Sequence, residues 1–107
     1  MKNFNYSLSN DDCSAIICAF GALPDFLTEL EVTEATAISN IAASTFQKLL
    51  NQLSLNQQDI ILIATLVDFS YNALRGKVSI NPDTFDALKE HMFTINKLHS
   101  IFLPLLN

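Results

Sequence analysis

Glycine is almost absent from this 107-residue chain, occurring only at positions 21 and 76, so no glycine-rich loop can cradle a phosphate group. Proline, at three residues, is nearly as scarce, while half of the chain is apolar and 16% is charged. That balance excludes collagen-like repeats and a disordered low-complexity chain, and one folded domain, 1–107, is expected. Positive charge is short as well. Six Lys and Arg against eleven Asp and Glu give a formal charge of −5, which argues against a nucleic-acid partner, because phosphate binding needs cationic surface to displace counterions. Long hydrophobic runs are missing too: the longest, Ile60 to Val67, is interrupted by Thr65 and closed by Asp68, far short of the ~20 residues of a membrane span. Docking of Phe102 to Leu106 on a membrane surface is opposed by the net negative charge, which anionic lipids repel, so no membrane partner is expected. Met1 to Ser9 is polar with a single cation, Lys2, and no apolar segment behind it, which reads as cytoplasmic.

Two cysteines do not make a disulfide framework. Cys13 and Cys18 lie five residues apart in a helical segment, about 140° around the axis and ~7.5 Å along it, so they cannot pair there and are expected as reduced core thiols. The motifs G-x-S-x-G, H-E-x-x-H and C-x-x-C do not occur. Glu90 is adjacent to His91, and Glu29, Glu31 and Glu34 cluster together, a spacing that fails the Glu-x-x-His pattern of a metal-carboxylate bundle. Neither an enzyme nor a metal or other cofactor is expected.

What the chain does carry is helical periodicity, in four segments, with no strict alternation of the strand kind. The fold class is all-α. The first segment opens at Ser9 or Asn10, followed by Asp11 and Asp12 at the positive end of the helix dipole, with Cys13, Ile16, Ile17 and Phe20 on its apolar face. Gly21 and Pro24 predict a break, and Pro24 can start a short turn, Asp25 to Leu30, that buries Phe26, Leu27 and Leu30. The second long helix runs from Thr33 to about Leu53 through Ile38, Ile41, Ala42, Thr45, Phe46, Leu49 and Leu53. Between Ala35 and Gln58 its only charge is Lys48, an unusual chemistry for a solvent face.

Asn56 caps a third helix, with Asp59 three residues on, and Gly76 ends it. Apolar positions nearly encircle this helix, leaving Thr65, Asp68, Asn72 and Arg75 as a polar strip. It must be the central helix, or a second copy of the chain must cover part of it. The fourth helix opens at Asn81 and Pro82, with Phe85, Leu88, Met92, Ile95, His99, Phe102 and Leu106 spaced as a coiled-coil seam, and Pro104 should end or bend it. A faint repeat shifted by 47 residues, Ser7, Leu8, Asp12, Leu27 and Phe46 against Ser54, Leu55, Asp59, Leu74 and Phe93, suggests two helical hairpins packed as a four-helix bundle.

The functional expectation is a small non-catalytic interaction or regulatory module that forms a homodimer through parts of helices two to four. Residues 1 to 34 hold six acids and one base, and the remainder is balanced. Asp25, Glu29, Glu31 and Glu34 therefore read as an acidic patch for a basic protein partner, or as a solvated loop. The alternative is a small-molecule-binding bundle or minor enzyme with a pocket between the third and fourth helices, lined by Asp68, Tyr71, Met92 and His99.

Overall fold

Each half of the chain begins with a reciprocal capping box. The Ser9 hydroxyl accepts from Asp12 N–H while the Asp12 carboxylate accepts from Ser9 N–H, and Asn56 and Asp59 repeat the exchange. Two of the four donors that a helix start leaves unpaired are satisfied this way. The computed structural model describes residues 7–106. The first box opens α1 (Asn10–Phe20), followed by α2 (Leu23–Leu27) and α3 (Val32–Leu50); the second opens α4 (Gln57–Leu74), followed by α5 (Pro82–Glu90), α6 (Met92–Phe102) and a 3₁₀ turn, Leu103–Leu106. The architecture is all-α, with no strand among the described residues.

The halves follow one plan: a boxed helix, a short helix with proline at its start, and a third helix turning back. α4 sits at the centre, packed by α1, α2, α3, α5, α6 and the terminal turn. Leu62, Ile63, Ala64, Leu66, Val67 and Phe69 are all buried on it, joined by Ile16 of α1, Leu88 of α5, and Ile95, Leu98 and Phe102 of α6. The chain itself thus covers most of α4, leaving Ile61 on its outer face 43% exposed. Apolar surface is also exposed at Val32, Leu50, Leu53, Met92, Phe93 and Leu103.

The break expected near Gly21 and Pro24 is present. Gly21 N–H caps back onto Cys18, and a Cβ there would lie 3.0 Å from that carbonyl, so the close approach to the backbone of α1 favours glycine. At the other end of α4, Gly76 takes φ +78° and Lys77 N–H reaches Asn72 O, the left-handed stop.

Four expectations change. α3 stops at Leu50, not Leu53, because Gln52 turns to φ +55° and Leu53 N–H folds back onto Lys48 O, leaving Leu53 60% exposed. α2 ends at Leu27, and Phe26 is half-buried, edge-on to Phe69 at 5.4 Å. The fourth helix is two helices, since His91 (φ −110°, ψ 14°) leaves α geometry and resets the phase. Ile95, Leu98 and Phe102 then face the core, while Met92 is 46% exposed and His99 only half-buried. In α1 the buried face is turned by one position, so Asp12 and Ala15 are enclosed while Cys13 and Cys18 are free thiols only half-buried, Cys18 packing at the edge of the core.

Candidate functional site

Spacing of three and four on α4 puts Asp68, Tyr71, Asn72 and Arg75 along one edge, and α6 lays His99 against it. His99 Nε2 is 2.9 Å from Asp68 Oδ1. A carboxylate only accepts, so Nε2 carries the proton. The imidazole lies flat on the Tyr71 ring, with centroids 3.7 Å apart and planes 2° from parallel. Arg75 Nη1 donates to Tyr71 Oη at 2.9 Å, and its guanidinium stands 5.3 Å from the ring centroid. Asp68, Tyr71 and His99 are therefore brought together as the sequence suggested, with Arg75 added. Met92 is not among them: it begins α6, seven residues and so ~10 Å of helix before His99, with its side chain outward.

Chemically this cluster is a clasp. Aspartate orients the histidine, the histidine stacks on the tyrosine, and no hydroxyl or thiol among the described residues hydrogen-bonds to the imidazole as a nucleophile would. Among the described residues no group of three His, Cys, Asp or Glu is placed to hold a metal ion. Both cysteine thiols are pushed above their ordinary value by burial, and then by the carboxylates of Asp12 beside Cys13 and Glu90 beside Cys18.

The acidic positions divide. The Asp25 carboxylate accepts from Asn81 N–H at 3.2 Å, tying α2 to the start of α5. Glu29, Glu31 and Glu34 are exposed around the turn into α3, where Glu34 favours the positive end of the helix dipole. Grooves run beside the same helix. One of about 480 Å³ lies between α1 and α3, lined by Ile17, Phe20, Leu23, Ala42, Ala43 and Phe46.

Two buried carboxylates escaped the sequence reading. Asp12 is fully enclosed and meets Lys97 of α6 at 2.7 Å; Asp59, also enclosed, meets Lys48 of α3 at 2.7 Å and accepts from the Thr45 hydroxyl at 2.5 Å. Burial alone would raise the Asp59 carboxyl, but Lys48, Thr45 and the Asn56 N–H outweigh it and hold it below the ordinary range. The signal was present in the repeat. Asp12 and Asp59 match at the shift of 47, while Thr45, Lys48 and Leu49 match Thr94, Lys97 and Leu98 at a shift of 49, two residues longer, which Phe46 against Phe93 obscures.

The chain matches no protein-family model, and no curated protein or solved structure is similar to it. No helix among the described residues is long and apolar enough to cross a membrane.

Proposed function

We propose that this chain is a cytoplasmic, non-catalytic contact module that works by self-association and by meeting a protein partner. One observation carries the reading: large apolar side chains stand in solvent on a domain that already has a complete core. Phe93 is 86% and Val32 84% exposed, with Leu50 and Leu53 beyond half. The neutral flank of α3 supports it. Lys48, the sole charge from Ala35 to Gln58, is committed to Asp59, so that flank presents no free charge to repel a partner. Beside it, Glu29, Glu31 and Glu34 suit a basic surface and would steer its approach.

Light scattering on a sizing column tests the self-association. Mass should climb from 11.9 kDa toward twice that value as concentration rises, and a constant monomer mass overturns it. The Asp68–His99–Tyr71 cluster favours a second reading, a ligand-binding bundle. Asp68→Ala and His99→Ala should then abolish a thermal shift produced by a metabolite or metal, and a screen without any shift removes it.

A further inference from the structure

We infer that two copies of this chain associate by exchanging halves, so that each lobe of the dimer joins the α1–α3 unit of one chain to the α4–α6 unit of the other. The inference rests on the self-association reading above and names its mode. The two ion pairs point to it. The carboxylate buried in the first unit, Asp12, is neutralised by Lys97 of the second, and the carboxylate buried in the second, Asp59, is neutralised by Lys48 of the first. Each unit therefore carries a buried acid whose base lies in the other unit, and the complementarity runs in both directions. A second copy offers the same complementary surface, because every contact between the units can be made between chains as well as within one.

One short crossing joins the units, the residues from Asn51 to Asn56. It contains neither glycine nor proline, yet Gln52 is held at φ +55°, in the left-handed region that side-chain-bearing residues avoid. Opening the crossing releases that conformation, and a short hinge under such strain favours exchange. Leu50 and Leu53, 52% and 60% exposed, flank the hinge. In an exchanged dimer the two hinges pass each other at the two-fold axis. Four leucines only half-covered in the monomer then gain a partner surface there.

Charge reversal in separate full-length chains tests the exchange. Asp12→Lys sets two cations together and Lys97→Asp sets two carboxylates together, so each variant alone should melt well below the unaltered protein. Unfolded together in urea and refolded as a mixture, they can build an exchanged heterodimer. One of its lobes holds native Asp12 against native Lys97, and the other holds the reversed pair. The expected result is a species of twice the 11.9 kDa chain mass whose native lobe melts at the unaltered temperature. A mixture that melts as the sum of the two variants overturns the inference. A dimer built only on surface contacts gives that sum too, which leaves the self-association reading standing while this one falls.

Gln52→Pro provides a second arm should the reversed chains not fold alone. Proline fixes φ near −65° and disfavours helical geometry at Asn51, so the closed turn is lost while an open hinge is tolerated. A dimer is expected at concentrations where the unaltered chain is monomeric. A Gln52→Pro monomer of undiminished stability overturns the inference.

Discussion

The two halves share a plan and differ in what covers them. In the second, α6 lies flush on α4, the His99–Tyr71 stack fastens the pair, and the terminal 3₁₀ turn closes over both. In the first, α3 is eight residues longer than α6, 19 against 11, and meets α1 through Phe46 on Phe20 beside the 480 Å³ groove, with most of its residues in solvent. Similar local instructions have thus placed the opening helix of one half at the centre of the core and that of the other beside it. The central position of α4 decides the difference, because it packs against α1, α2, α3, α5, α6 and the terminal turn whereas α1 packs against α3, α4, α5 and α6.

Truncating the core of each half should expose that inequality most strongly. Phe102→Ala, at a site 1% exposed, should cost about 3–5 kcal/mol in urea unfolding, because the enclosed site cannot relax to fill the hole. Phe46→Ala, half-buried against Phe20 at 5.5 Å, should cost roughly half as much, since water can enter the space. Equal losses would mean that the first half is as tightly covered as the second.

The ion pairs should rank next. Lys97→Ala leaves the fully enclosed Asp12 without its cation and should cost about 2–4 kcal/mol at neutral pH, somewhat less than a wholly buried pair because the lysine is 42% exposed. Lys48→Ala should cost a similar amount, because Lys48 is the more enclosed lysine at 26% exposed while the Thr45 hydroxyl still donates to Asp59. Asp59 adds a pH dependence whose sign follows from its lowered pKa. The stabilisation it supplies is whole above the unfolded carboxyl value near ~3.9 and is lost as pH falls from there through the lower folded value. Acid unfolding followed by circular dichroism should therefore be shallower in Asp59→Asn, which lacks that proton uptake. An unchanged profile would show that Asp59 is not ionised in the fold.

Smaller effects belong to the clasp and to one orphaned hydroxyl. Asp68→Asn should cost about 1 kcal/mol or less in thermal melts, since the side chain is 37% exposed. Ser70 is buried with no hydrogen-bond partner for its Oγ among the described residues, so Ser70→Ala should be neutral or stabilise by up to about 1 kcal/mol in thermal melts.

Much of this was readable wherever the cause is local. The boxed start at Asn56, the glycine stop at Gly76, the proline start at Pro82 and the break before Pro24 depend on neighbours within a turn or two, and all are present. The break at His91 carried no such mark. Apolar steps of three and four run through it unbroken, and neither glycine nor proline stands there. The burial of Asp12 carried no local mark either: its place at the helix start reads as a dipole contact, and the lysine that lets it go inside is 85 residues away. Of the suggested ligand residues, Asp68, Tyr71 and His99 converge because α4 and α6 are neighbours along their length. Met92 departs because the His91 turn re-aims the start of α6.

The raised thiols have a practical corollary. Thiolate is the form that attacks maleimides and iodoacetamide, and burial, followed by the carboxylates beside Cys13 and Cys18, shifts both sulfurs further toward the thiol. The native cysteines should therefore couple to such dyes more slowly than a cysteine newly introduced on the open surface, a difference that timed labelling would show.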